Sequence, residues 1–383
     1  KNEPAGDTVR AYPDYKDWQA GFTVGGPIIK NKLFFFINAE MDRKVVPLGN
    51  MPGTNLSSID TSDIRRILAV LKRVAPTYDP GAWQDINNEV KSNKFLIKLN
   101  WNINDKNTLT FRHSYTYGEM IDNSRSSTAL RFYNNGQFFP STTNSTGLEL
   151  NSILGNNISN RLMLGYTRVR DDRDPLGSAF PTILINNLTN NTNVTIGSEY
   201  SSVANQLDQD IYSLDDDITL SKGNHTLIIG THNEIYSFYN LFVQNIFGSY
   251  AYKNLANFET IGTPGEVAPT YYAISYSFDK TDNPLQTKGA ADWWAMQLGL
   301  YVQDEYQVNQ DLQITGGLRI DIPVFPEKPE SNRVFDLTYR FKEVATGVLP
   351  KSRIMWSPRL GFNWDALGNK TLQVRGGTGL FTG

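Results

Sequence analysis

Apolar and polar residues alternate at a period of two along segment after segment, and this pattern constrains the fold more than any other feature. From Leu312 to Ile322 the even positions Leu312, Ile314, Gly316, Leu318, Ile320 and Ile322 are apolar, while Gln313, Thr315, Arg319 and Asp321 are polar. A strand points successive side chains to opposite faces, so this segment carries one greasy face and one charged face. The same rule sets Leu360, Phe362 and Trp364 against Arg359, Gly361, Asn363 and Asp365. It sets Phe95, Ile97, Leu99, Trp101 and Ile103 against Lys94, Lys98, Asn100 and Asn102, and then Leu109, Phe111, His113, Tyr115 and Tyr117 against Thr108, Thr110, Arg112, Ser114 and Thr116.

Tight polar turns join these strands in pairs: Lys30-Asn31-Lys32, Asn104-Asp105-Lys106-Asn107, Asn157 to Asn160, Lys222-Gly223-Asn224, Asn309-Gln310-Asp311 and Leu367-Gly368-Asn369. Each turn marks a hairpin, so the pattern predicts about twelve strands. The connections between hairpins are long, on the order of 30 to 50 residues. They are rich in Asn, Ser, Thr, Gly and Pro, as in Leu188 to Asn205 and Phe258 to Pro284. One carries a predicted short helix with Ser62 as N-cap, Ile64, Ile67, Leu68 and Leu71 on one face, and Pro76 as its end.

Tight turns at one end and long loops at the other are the asymmetry of outer-membrane β-barrels, whose short turns are periplasmic and whose long loops are extracellular. The longest apolar runs, such as Leu33-Phe34-Phe35-Phe36-Ile37, fall far short of a membrane-spanning helix. If this chain crosses a membrane, strands do it. Tryptophans fit two interfacial girdles: Trp101 and Trp364 lie on the apolar parity close to tight turns, and Trp18, Trp294 and Trp356 lie towards the long loops. The competing architecture is a soluble barrel with its apolar faces inward. Asp216 and Asp304 break the pattern by sharing parity with apolar neighbours, and a bulge would turn Asp216 inward.

Composition narrows function. The 36 basic and 39 acidic residues leave a net charge of −3, too balanced to hold nucleic acid by long-range field. The absence of cysteine excludes a disulfide framework or thiolate site and is compatible with an oxidising envelope compartment. The start, Lys1-Asn2-Glu3-Pro4, has none of the marks of a secretory signal peptide.

Catalytic constellations are weak, and the chain reads as a non-enzyme with no cofactor. His113, His225 and His232 are expected on different strands, which disfavours a zinc site. Asp215 and Asp217 share the polar parity and could pair as acid and base, but a charged barrel wall explains them with less assumption. The run Asp171-Asp172-Arg173-Asp174 could collect calcium in a loop, although such runs are usually solvated. Gly376, Gly377 and Gly379 precede no helix and so form no phosphate loop. What remains is a lumen-facing set, Lys94, Lys98, Arg112, Asp215, Asp217, Arg319, Asp321, Arg359 and Arg375, suited to a hydrated interior or to contact with a plug. Ligand capture is expected in the loops, at aromatic clusters such as Tyr250 to Tyr252 and Tyr271 to Tyr276.

Specific segments carry a family resemblance. Gly21-Phe22-Thr23-Val24-Gly25-Gly26-Pro27-Ile28-Ile29-Lys30-Asn31-Lys32-Leu33-Phe34-Phe35-Phe36 resembles the early-barrel hairpin of Oar-like TonB-dependent outer-membrane transporters. So do Tyr78-Asp79-Pro80-Gly81, Gly223 to Leu227 leading to Gly230, Leu300 to Glu305 leading to Gly317-Leu318-Arg319, and Ser357 to Phe362, in family order. The resemblance implies a barrel of about 22 strands closed by an N-terminal plug, with a carboxypeptidase-regulatory-like domain ahead of it. Residues 1–383 would then be a partial transmembrane barrel, lacking the plug, the regulatory-like domain and the terminal strand signal. The implied function is energised uptake of a large or scarce substrate across the bacterial outer membrane. The implied partners are outer-membrane lipid, the chain's own plug, the TonB complex and a surface lipoprotein or envelope complex. A barrel serving adhesion, secretion or surface display is the alternative. Apart from the family, Gly25 and Gly26 suit a bulge or a close backbone approach, and Pro27 removes a ladder donor just before a turn.

Overall fold

The computed structural model describes residues 15–276, 289–339 and 345–382. The start Lys1-Asn2-Glu3-Pro4 and residues 277–284 of the loop 258–284 lie outside them. In chain order the first strands are β1 (Lys16–Ile29), β2 (Leu33–Pro47), β3 (Asn87–Asn104), β4 (Asn107–Asp122), β5 (Ala129–Arg131), β6 (Gln137–Ile153), β7 (Ile158–Pro175), β8 (Thr182–Leu188) and β9 (Thr192–Ile196). They are followed by β10 (Asn205–Lys222), β11 (His225–Phe242), β12 (Ser249–Tyr252), β13 (Tyr271–Ala273), β14 (Ala290–Gln307), β15 (Leu312–Val324), β16 (Met355–Asp365) and β17 (Gln373–Gly379). The helices are α1 (Thr61–Val74), α2 (Leu255–Glu259) and α3 (Arg333–Tyr339). No helix among the described residues is long and apolar enough to cross a membrane.

Twelve long strands form one antiparallel sheet in the order β1-β2-β3-β4-β6-β7-β10-β11-β14-β15-β16-β17. All neighbours follow one another along the main chain, as hairpin chemistry dictates. Left-handed residues close the turns: Asn31 (φ 61°), Gly223 (φ 61°) and Gly368 (φ 67°). The turn between β6 and β7 lies at residues 154–157, earlier than the expected Asn157 to Asn160. In the first hairpin the register shifts between Pro27 and Ile29, not at Gly25-Gly26, because proline cannot donate to the ladder.

The register carries the two faces coherently across the sheet. Ile97 is level with Ile37 and His113; Leu148 with Phe111 and Leu164; Leu214 with Leu164 and Asn233; and Val302 with Ile229 and Leu318. This face is unusually open for large apolar groups, with Leu164 44%, Leu300 59% and Leu360 57% exposed. Such a continuous apolar exterior is unstable in water and requires lipid or another protein to cover it.

The bulge expected at Asp216 is absent, because β10 pairs with β7 and β11 without a register shift. Asp216 stays on the apolar face and accepts a 2.5 Å hydrogen bond from Asn160 Nδ2, near the tight-turn end. Asp304 also stays there, paired with His225 Nδ1 at 2.7 Å, and the His225 ring stacks on Tyr306. A polar partner on a neighbouring strand thus gives each carboxylate a hydrogen bond without rotating the strand, although the buried Asp304 Oδ1 stays without one among the described residues.

Four of the connections fold together at the end opposite the tight turns. Their short strands form a five-stranded sheet, β13-β12-β8-β9-β5, that the alternation rule did not predict. Its inner face packs on α1 and α2 through Ile183, Ile185, Val194, Leu130 and Tyr252 against Ile64, Ile67 and Leu71 of α1 and Phe258 of α2. The N-cap of α1 is Asp60, whose side chain accepts from the Ser62 backbone N–H at 2.7 Å, so Ser62 is the capped residue and not the cap. The connection 123–136 is shorter than the expected 30 to 50 residues, because β5 passes through this small domain once and returns. Asp171-Asp172-Arg173-Asp174 lies within the upper end of β7 and not in a loop.

Candidate functional site

The polar face of the large sheet carries the candidate set. Lys94 and Lys98 on β3, Arg112 on β4, Asp215 and Asp217 on β10, Arg319 and Asp321 on β15, Arg359 on β16 and Arg375 on β17 all lie on it. They are not one cluster. Lys94 pairs with Glu40 of β2 at 2.6 Å, and Arg375 donates to Gln373 and Asn363 at the far edge. Lys98 and Arg112 face each other directly across β3 and β4, and neither has a carboxylate within ion-pair reach among the described residues. Like charges placed opposite each other are destabilising unless an anion lies nearby.

The rest converge. Arg319 grips Asp321 with three hydrogen bonds of 2.7–3.0 Å, and the Asp321 carboxylate is almost fully buried by the contact. Its guanidinium also lies 5.7 Å from the centre of the Tyr301 ring. Tyr301 donates to Asp217, which Arg161 approaches to 3.6 Å. His232 pairs with Asp215 across β10 and β11 and lies 3.8 Å from Glu234. Asp215, His232, Tyr301, Arg319, Ser357 and Arg359 line an open cavity of about 430 Å³ on this face. Glycines make the room: a Cβ on Gly299 would sit 2.7 Å from Arg319 Nη2 and 2.9 Å from the His232 carbonyl.

Tyr301, His232 and Arg161 were missing from the expected set, although strand parity places all three on the polar face. His225 and His232 share β11, contrary to the expected separate strands, and their odd and even positions send them to opposite faces. Among the described residues no group of His, Asp and Glu side chains could hold a metal. The cluster is an ion-pair and hydrogen-bond network with one opening, suited to lining water or gripping a polar partner.

The opposite face carries the tryptophans. Trp18, Trp101, Trp294, Trp356 and Trp364 all lie on it, each between 37% and 55% exposed. Trp101 and Trp364 are level with Leu33 and Leu312, the first residues after tight turns. Trp356 and Trp364 are eight residues apart in β16. A strand rise of ~3.4 Å and a tilt of ~45° make that ~19 Å along a barrel axis, close to the ~25 Å apolar band of an outer-membrane barrel. Above the apolar zone, Tyr166 and Tyr212 stack at 5.0 Å, and Arg170 pairs with Asp210 at 2.5 Å. Apolar, aromatic and charged zones therefore succeed one another towards the loops.

Residues 2–50 and 45–383 match the model of a family described as an outer membrane beta-barrel domain. The chain belongs to that family. Its twelve-stranded sheet is accordingly an antiparallel transmembrane β-barrel fold, and its location is the outer membrane. Solved structures agree on the fold. The outer membrane transporter YddB from Escherichia coli superposes with a TM-score of 0.60 at 13% identity, over 96% of this chain and 38% of that one. FpvA of P. aeruginosa, bound to a pyoverdine–iron complex, superposes with a TM-score of 0.52 at 14% identity, over 94% of this chain and 39% of that one. The chain thus spans about two fifths of the length of the solved barrels it matches. No curated protein matches it in sequence.

Proposed function

We propose that this outer membrane beta-barrel domain is the barrel portion of an Oar-like, TonB-dependent transporter that takes up a large or scarce substrate. The observation that carries the reading is the single register holding an apolar, tryptophan-bounded face against a charged face over all twelve strands. On this reading the tryptophans are the lipid girdles and the charged face is the lumen wall. The outer membrane transporter YddB and the pyoverdine-bound FpvA, which share the fold, support uptake as the class of activity.

One feature supports a plug seated in the lumen and another supports a larger barrel around it. Lys98 and Arg112 present adjacent cations with no carboxylate in ion-pair reach among the described residues, which a plug carboxylate would neutralise. The outer edges of β1 and β17 are unpaired among the described residues, as expected of an arc of a larger barrel whose remaining strands cover them. The plug, the TonB contact and any surface lipoprotein partner belong to the proposal and lie outside residues 1–383.

The test compares solute depletion from rich medium by cells with and without the gene, each with and without a protonophore. Uptake predicts solutes whose depletion requires both the gene and the inner-membrane gradient. If no solute shows that double dependence, the barrel serves adhesion, secretion or display instead.

A further inference from the structure

We propose that the small loop domain carries a binding site for an acidic saccharide, on the face of its five-stranded sheet that turns away from the hydrophobic core. Alternation within its short strands separates the two faces. Leu130, Val194 and Ile183 point into the core, so Arg131, Thr195 and Leu184 point the other way, level with one another across β5, β9 and β8. Asn193 lies two residues from Thr195 on the same side, beside Ala129. These residues form the floor of a cavity of about 490 Å³, a size that suits a small ligand.

The floor has hydrogen-bonding capacity to spare. Among the described residues the side chains of Arg131, Asn193 and Thr195 have no hydrogen-bond or ion-pair partner, although all three are half-buried. A half-buried guanidinium without a carboxylate is a standing site for an anion. The second cation in the wall, Arg125, is committed to the main-chain carbonyls of Leu48, Gly49 and Trp83, with Asp85 near enough to be felt but no carboxylate within ion-pair distance among the described residues. Glu199 is the sole carboxylate lining the cavity, and it turns back onto the Ser201 backbone N–H and hydroxyl. The cavity therefore carries two positive charges against one negative.

Its remaining chemistry selects among anions. Ser124, Ser126, Asn193 and Thr195 offer short donors and acceptors suited to a polyhydroxylated ligand. Tyr200 contributes an exposed ring at the rim, a flat apolar surface for the C–H face of a sugar. A carboxylated sugar uses all three elements, whereas a bare inorganic anion would use only the arginines. The site is independent of the transport reading, because a display barrel could carry it equally well.

The test titrates the purified full-length protein, in detergent micelles, with trigalacturonate, with neutral galactotriose and with inorganic phosphate by calorimetry. Saturable binding of trigalacturonate, at least tenfold weaker binding of galactotriose and of phosphate, and at least a tenfold loss in Arg131→Gln are the expected results. Asn193→Ala, which removes an amide without touching the core, provides a second variant and should weaken binding several-fold. Heat-modifiable gel migration and protease resistance of the loops report that each variant has folded. Absence of saturable trigalacturonate binding, or unchanged affinity in both folded variants, overturns the site. Phosphate binding as tight as the saccharide overturns the saccharide assignment.

Discussion

Leu318 offers the sharpest perturbation of the inside-out arrangement. It occupies the middle of β15, on the apolar face, between Val302 and Pro358 on the neighbouring strands, and is 39% exposed. It lies six residues beyond Leu312, which is level with Trp364 at the lower aromatic girdle. With ~3.4 Å of rise per residue and ~45° of tilt, Leu318 sits ~14 Å above that girdle, close to the middle of a ~25 Å apolar band. An arginine at such a depth costs about 2–4 kcal/mol in a bilayer. Leu318→Arg should therefore lower the unfolding free energy by about that amount in urea titrations of protein folded into lipid vesicles. Thr143→Arg, half-buried on the polar face of β6, should change it by about 0.5 kcal/mol or less. Equal effects of the two substitutions, or a larger effect at Thr143, would refute the assignment of faces.

Gly299→Ala should be destabilising by about 1–3 kcal/mol, because the new methyl group meets Arg319 Nη2 and a main-chain carbonyl, whereas Gly361→Ala, whose Cβ meets nothing closer than 3.5 Å, should be nearly silent in the same titration. Ile67→Ala should weaken the loop domain by about 2–5 kcal/mol, since Ile67 is fully buried in its core; limited proteolysis should cut the loops faster while gel migration of the heat-resistant barrel stays unchanged. Arg66 joins α1 to α2 by two 2.7 Å hydrogen bonds that hold the Glu259 carboxyl below its ordinary pKa. That contribution is complete above the ordinary value of about 4.3 and is lost as pH falls through the lowered value, so acid should raise loop proteolysis in wild type more than in Glu259→Gln.

The large sheet was legible because period-two alternation is local: Leu312 to Ile322 and Phe95 to Ile103 declare their faces without reference to anything distant. The same parity placed Arg319 and Asp321 together, since residues two apart share a face. Contacts that depend on register were not legible. Tyr301 meets Asp217 from another strand, and Asp216 stays on the apolar face only because Asn160 of β7 satisfies it. The loop domain escaped for a different reason. Its strands run from three to seven residues, too short to show a period, and two of its pairings are parallel links between connections far apart in the chain. Tyr252 illustrates the consequence. Expected among ligand-capturing aromatics, it is a core residue packed edge-on against Phe258, because β12 turns it inward. At α1, Asp60 and Ser62 are both good capping types, and only side-chain geometry selects Asp60.

The central claim is that one face of the twelve-stranded sheet meets lipid and the other meets water. Because the chain contains no cysteine, single cysteines can be placed along β16 from Met355 to Asp365 without background labelling. Each is coupled to an environment-sensitive fluorophore in lipid vesicles and quenched in turn with a lipid-soluble and a water-soluble agent. The account predicts a period of two, with lipid access at positions 356, 360, 362 and 364 and water access at 359, 361 and 363. Quenching in the opposite phase, or with no alternation at all, would contradict it.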